Sequence, residues 1–391
     1  MSIAVPTYPL PQKPLALVLG GIFAAIAALH LLDGEPRRLA LLVIGGGLGV
    51  ALYHAAFGFT AAYRNLIQSR DLSGIVAQAV MLTVAMILFA TVLNDGEAFG
   101  FKAGGAVAPL NVSLVTGAFI FGLGMQIAGG CASGTLFTAG GGNARMMVVL
   151  VFFCAGSFWG SLDIPFWHSL PSLGAVSLGR EFGYTLAVLM QVGALAAILG
   201  ALWLWGARLK KPLWDRNHPL NGRTLLQGPW PLLLGALALA VLAYATLLAK
   251  GYPWGVTWGF TLWGAKAAEL FGWDPNSSTF WAVEWRQGAL RQGLLEEPTS
   301  LMNIGIILGA GIAASLAGKV APTLAMGWRP FIAAVIGGLM LGYGARLAYG
   351  CNIGAFFSGV ASTSLHGWVW IAVAIVGNVI GVRFRPFFRL G

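Results

Sequence analysis

Long uncharged apolar runs, repeated down the whole chain, restrict most severely what this sequence can fold into. A helix rises about 1.5 Å per residue, so about 20 such residues cross a hydrocarbon core roughly 30 Å thick. Ten candidate spans can be drawn, near residues 14–32, 38–61, 73–94, 111–130, 145–161, 182–207, 229–249, 300–318, 330–350 and 367–385. Apolar residues make up 58% of the chain and charged residues 9%, against about a quarter charged in ordinary proteins. Such a sequence cannot cover a water-facing surface, which argues against a soluble enzyme and a disordered scaffold. The net charge of +10 does not point to nucleic acid, because the basic residues sit in short connections between spans. The expected fold class is an all-α polytopic membrane protein, with about nine to ten transmembrane helices in the lipid bilayer.

The basic connections also set an orientation. Arg64 and Arg70 follow the second span, Arg208, Lys210, Lys211, Arg216 and Arg223 the sixth, Lys319 and Arg329 the eighth, and Arg383, Arg385 and Arg389 the last. Placing all four groups in the cytoplasm requires ten spans with both termini cytoplasmic. Lys250, Arg286 and Arg291 then fall in a long outer loop, beside Glu284, Glu296 and Glu297. The first run is too long for a signal-peptide core, and Leu31-Leu32-Asp33 is a poor cleavage site, so it reads as an uncleaved helix. Four segments follow: an N-terminal extension and first helix at 1–37, a first half at 38–208, a cytoplasmic loop at 209–228 and a second half at 229–391.

The halves are suggested by an internal repeat. The stretch from Gly117 to Phe137 matches the stretch from Gly337 to Phe357, with Gly122/Gly342, Gly124/Gly344, Gly130/Gly350, Cys131/Cys351 and Gly134/Gly354 coinciding. Gly58-Phe-Thr60 finds a weaker echo in Gly259-Phe-Thr261. In the assigned orientation the fourth span enters from outside and the ninth from inside, so the copies form an inverted pseudo-twofold repeat. Transporters commonly use this arrangement, with the substrate site where the halves meet. After each Gly-Cys comes a short stretch ending at Gly140 or Gly359, too short to span. A re-entrant half-helix fits, because irregular backbone at membrane depth survives only where protein buries it or a cavity adjoins it. Each Cys would sit at the amino end of a half-helix, where free N–H groups attract an anion.

A lone buried cysteine is most often packing. Recurrence of Cys131 and Cys351 at one repeat position turns the reading toward function, with a mutual disulfide as a further alternative that would block a path. No His or Cys accompanies them at metal-ligand spacing, and no nucleotide- or other cofactor-binding motif occurs. Cys154 has no counterpart and reads as packing. Three cysteines do not make a disulfide framework. Arg346, inside an apolar span, is expensive unless it faces a cavity or partner; Gln126 holds the matching place in the first copy. Asn352 and Ser133 would offer polar groups at the half-helix starts, with Gly130 and Gly350 making the turns. His54 reads either as a pore donor or as a satisfied interior histidine. Lys266 and Glu269 would pair across one turn of helix.

These residues resemble the YeeE/YedE family of sulfur-compound transporters. The resemblance rests on Gly-Gly-Cys131-Ala-Ser-Gly, on Gly-Cys351-Asn-Ile-Gly-Ala-Phe-Phe-Ser-Gly with Ser364-Leu-His-Gly-Trp368, and on the segment from Phe57 to Arg64. It implies an hourglass-shaped fold in a bacterial inner membrane that takes up thiosulfate, with Cys131 and Cys351 as the family's loop cysteines. Apart from the resemblance, a small cytosolic sulfur-handling protein docking at the basic face would suit both a transporter and a structural subunit. Family members commonly carry a third cysteine in the first pore helix, where this chain has Gly58.

A physical case for thiols stands beside that resemblance. A dianion that loses hydration needs donors in return, yet conduction requires a site weak enough to leave. A neutral S–H is a weak donor, and apolar surroundings keep a thiol protonated. The competing readings are transport of another sulfur or selenium compound, a membrane-embedded sulfurtransferase or thiol oxidoreductase, and a structural subunit.

Overall fold

The computed structural model of the chain describes residues 10–214, 220–320 and 326–390. Arg216 of the basic connection lies outside them. Among the described residues, ten segments are long and apolar enough to cross a membrane. The first part of the chain folds as α1 (Lys13–Leu32), α2 (Pro36–His54), α3 (Phe59–Ser69), α4 (Ser73–Leu93), α5 (Val112–Ala128), α6 (Ala132–Gly140) and α7 (Ala144–His168). A short α8 (Leu178–Phe182) and α9 (Tyr184–Leu204) follow, then α10 (Gly222–Gln227). The second part holds α11 (Leu232–Lys250), α12 (Thr257–Leu270), α13 (Glu284–Arg291), α14 (Pro298–Leu316) and α15 (Trp328–Leu347). It ends with a π-helical turn (Asn352–Phe357) running into α16 (Ser358–Ala361), and α17 (Leu365–Phe384). Strand content is slight: a small hairpin of β1 (Glu97–Ala98) and β2 (Phe101–Lys102), and β3 (Pro109–Asn111) antiparallel to β4 (Ser172–Ala175).

Local chemistry explains where helices begin. Asn111 and Asn143 each accept a hydrogen bond from a first-turn N–H, of Leu114 at 2.9 Å and Met146 at 3.1 Å. Pro36 and Pro298 supply a fixed φ where the missing donor costs nothing. The second candidate span breaks earlier than the apolar run suggests. The helix stops at His54 and restarts as α3, because the chain turns at Ala55–Gly58, with Ala56 at φ 46°. The region read as one long outer loop contains α12, the counterpart of α3 that the Gly58/Gly259 echo hinted at. Within it, Lys266 does not pair with Glu269; its ammonium donates to the carbonyls of Leu290 and Gln292. Those carbonyls end a short helix whose own chain offers them no further donor, so they outcompete an exposed ion pair.

Packing runs through glycine, and glycine contacts report helix direction. Gly117 lies against Gly344 and Ala348, Gly124 against Gly337 and Leu341, and Ala128 against Gly337, so α5 and α15 run antiparallel. Gly156 meets Leu339 and Gly160 meets Tyr343, so α7 and α15 run parallel. The same test makes α5 parallel to α17, through Gly122–Ala374 and Gln126–Gly381, and α2 parallel to α14, through Gly45–Met302 and Gly49–Ile306.

Exchanging the halves reproduces the main packing pairs. α15 packs on α7 as α5 does on α17, α14 on α2 as α4 on α11, and α14 on α6 as α4 on α16. α12 packs on α7 as α3 does on α17, and α1 packs on α14 as α9 does on α4. This is an inverted repeat. Each copy contributes five of the ten candidate spans, and an odd number obliges the second copy to start from the opposite side.

Candidate functional site

At the centre of the fold each copy breaks its helix at Gly-Cys. α5 ends with Gly129 in the left-handed conformation at φ 84°, and Tyr349 takes the same place after α15 at φ 61°. A tyrosine there is strained, and such strain persists only where surrounding contacts hold it. The Tyr349 hydroxyl accepts from Asn111 Nδ2 at 2.6 Å and lies 3.3 Å from His168 Nε2. Gly350 follows at φ 150°, with no room for a Cβ beside Ala355 N and Gly354. The break also frees carbonyls that cannot be left bare in lipid. Arg145 donates to Ile127 O and Arg385 to Gln126 O, each at 2.8 Å, while Ser113 Oγ donates to Leu347 O in the other copy.

Both cysteines then cap the short segments that follow. Cys131 Sγ accepts from Gly134 N at 3.4 Å and lies 3.4 Å from Ser133 Oγ. Cys351 Sγ accepts from Ile353 N at 3.4 Å. Each is free and almost fully buried, at 1% and 0% exposure. The two segments differ in kind: α6 is a regular helix, whereas the chain after Cys351 opens as a π-turn. They pack against each other.

Polar groups converge on the pair. Asn352 Nδ2 donates to the Tyr63 hydroxyl at 3.1 Å, while its Oδ1 is buried with no partner among the described residues. Thr60 Oγ1 and Trp254 Nε1 are likewise buried and unpartnered among the described residues. Buried unpaired polar atoms are costly and few in native structures.

Cavities approach from both faces. On the face carrying the Arg208–Lys211 connection lies a cavity of about 310 Å³, lined by Gly58, Ala62, Asp71, Gln78 and Lys211 among others. Asp71 is buried there; burial pushes its carboxyl up, but hydrogen bonds from the Ser73 backbone and hydroxyl and the Lys210 N–H outweigh this and hold it below its ordinary range. The opposite face has two adjoining cavities of about 320 and 180 Å³, sharing Arg346, Tyr252, Tyr349 and Gly354. Burial pushes the Tyr252 phenol up, so it stays a neutral donor.

The candidates drawn from sequence therefore separate. Cys131, Ser133, Asn352 and Cys351, with Gly130 and Gly350 in the turns, meet at the centre. Arg346 stands at the opposite-face cavity, 5.8 Å from the Trp258 ring and 5.5 Å from Phe280, its Nε buried and unpartnered among the described residues. Gln126 is a tie between helices, donating to Thr60 O at 3.1 Å and Asn378 Oδ1 at 2.7 Å. His54 packs on Trp230, 5.6 Å between rings, behind the wall of the cavity that Gly58 lines. Cys154 is half-buried in α7, away from the pair. Tyr63 and Tyr349 escaped sequence reasoning as individual sites. Tyr63 lay inside the Phe57–Arg64 segment, but aromatic residues near span ends ordinarily read as interfacial.

A family model described as sulphur transport matches residues 54–380. The chain belongs to this family. Members similar to it include the thiosulfate transporter TsuA of Spirochaeta thermophila, 29% identical over 86% of this chain and 96% of that protein. The thiosulfate transporter TsuA of Escherichia coli is 25% identical over 87% of this chain and 92% of its own length. The probable transporter YedE of Salmonella typhimurium is 33% identical over 41% of each. As a member of a sulphur-transport family with ten apolar spans, the chain is a multi-pass membrane protein concerned with moving a sulfur compound.

Proposed function

We propose that this chain imports a small sulfur-containing anion, thiosulfate first among them, passing it between the thiols of Cys131 and Cys351. One observation carries the reading: two uncharged thiols, one from each antiparallel copy, cap short helices that touch at the centre while cavities approach from both faces. An anion entering past Arg346 and Tyr252 meets donors that hold it weakly, in keeping with passage rather than capture. The names of the TsuA relatives favour thiosulfate over other sulfur compounds. On this reading the membrane is a bacterial inner membrane with both termini cytoplasmic. The basic face of the 209–228 connection suits a small sulfur-handling partner.

Uptake of labelled thiosulfate into proteoliposomes tests the proposal. Cys131→Ala and Cys351→Ala should each lower the rate about ten-fold or more, the scale of one lost hydrogen bond to a charged group. Cys154→Ala should leave it unchanged. Wild-type rates in both pore variants would sink the thiol relay, and competition by sulfate, sulfite or selenite stronger than by thiosulfate itself would sink the substrate.

A further inference from the structure

A further cavity, of about 240 Å³, lies off the central path between α9 and a wall made by α3, α4 and α17. Its lining is almost wholly hydrocarbon, with Leu82, Leu195, Leu199 and Ile375 facing one another. α9 packs chiefly on α4 and α8 and exposes most of its length, so the cleft sits where bilayer chains have access. At the end of α9, Leu199 and Leu202 pack with Leu66, Leu72 and Ala207. Directly beyond, the backbone of Arg208 pairs with that of Arg70 and Leu72. The Arg70 guanidinium rests on the Trp205 ring at 4.8 Å, exposed, with Lys210 exposed beside it. Arg208 is engaged by the carbonyls of Trp203 and Ala207. An apolar cleft thus ends under a cationic rim at the depth where α9 leaves the membrane.

We propose that this cleft binds one anionic phospholipid, an acyl chain inside and its phosphate headgroup at Arg70 and Lys210. Hydrocarbon alone would admit any chain, and the rim selects the charge: basic residues gathered beside transmembrane helices recognise anionic headgroups. The site has a consequence for the centre of the molecule. Its inner end is formed by Tyr63 and Phe356, and Gln78 is shared with the cavity that Gly58 lines. Tyr63 accepts the Asn352 bond beside Cys351, and Phe356 belongs to the π-turn that Cys351 caps. A chain in the cleft therefore braces the Cys351 segment from behind, whichever anion the centre carries.

The test uses the full chain extracted in mild detergent, with phosphatidylglycerol and phosphatidylcholine offered in equal amounts and retained lipid read by native mass spectrometry. Wild type should retain phosphatidylglycerol selectively. Arg70→Gln should lower that retention about five-fold, the contribution of one basic residue at the leaflet surface. Leu195→Trp, which fills the cleft from a lipid-facing helix, should lower retention of both lipids, and Lys210→Gln serves if Arg70→Gln misfolds. Equal retention of the two lipids by wild type, a neutral quinone retained in their place, or unchanged retention in either the rim or the cleft variant would overturn the site.

Discussion

Each central thiol accepts a hydrogen bond from the helix it begins, so one of the backbone donors expected to greet an anion is already engaged in each copy. On the proposed thiol route, a guest reaching that donor would displace a weak S···H–N contact, an exchange of low cost in keeping with passage. Gly58 gives the same economy another test. A Cβ at this position would meet nothing nearer than Ala61 Cβ at 3.7 Å, and the residue lines the basic-face cavity. Gly58→Cys, which installs the family's third thiol, should fold with stability within about 0.5 kcal/mol of wild type and raise thiosulfate uptake in proteoliposomes. A slower variant of unchanged stability would count against a chain of thiols. The cysteine pair was legible in the sequence because it recurs in an identical glycine frame. The Tyr63–Asn352 bond was not, since its partners are far apart in sequence and share no repeat position.

Helices in this fold meet backbone to backbone, as expected where lipid offers no hydrophobic gain for association and close contact must supply the attraction. A Cβ added at Gly309 would land on the carbonyl of Gly46, and neither helix can yield without moving its neighbours. Gly309→Val should cost about 1–3 kcal/mol, the usual penalty of overpacking, seen as a lower midpoint in thermal unfolding of the purified protein. Gly193 in α9 meets nothing within 4 Å, so Gly193→Ala should be neutral or stabilising by up to about 1 kcal/mol through helix propensity alone. Equal effects at both positions would contradict the packing described. Spans of full length were legible from apolar runs. α3 and α12 were not, because at 11 and 14 residues they carry no span-length signal and draw their order from neighbours already in place. The π-turn after Cys351 had no sequence signature either, since its segment matches α6 in spacing but not in hydrogen-bond pattern.

Stability of the whole molecule should depend on acid through the strap that joins α3, α4 and the chain beyond α9. Asp71 holds the N–H of Ser73 at 2.9 Å and lies against Lys210, and its carboxyl is depressed because these bonds outweigh the cost of burial. A depressed carboxyl adds stability that is fully present above its unfolded value near about pH 4 and is lost as pH falls through the folded value. Thermal midpoints measured at decreasing pH should drop below about pH 4 in wild type. Asp71→Asn should start lower at neutral pH and show a flatter profile; an identical slope in the two proteins would exclude this carboxyl as the cause. The opposed sense of the two Gly-Cys copies was legible at this scale, because the fourth and ninth spans enter from opposite sides in a ten-span chain. The pairing of α1 with α9 was not, since it is a matter of which neighbour each helix leans on.

A body made of two like halves turned head to tail has no intrinsic forward or reverse. Whatever polarity its traffic shows must be written in the places where the halves disagree. Among these are a guanidinium at one cavity against a carboxamide locked between helices, a π-turn against a regular helix, and a strained tyrosine against a glycine at the two hinges. On the proposed route these differences would set how each face receives a charged guest, while the gradient across the membrane sets the direction of net passage.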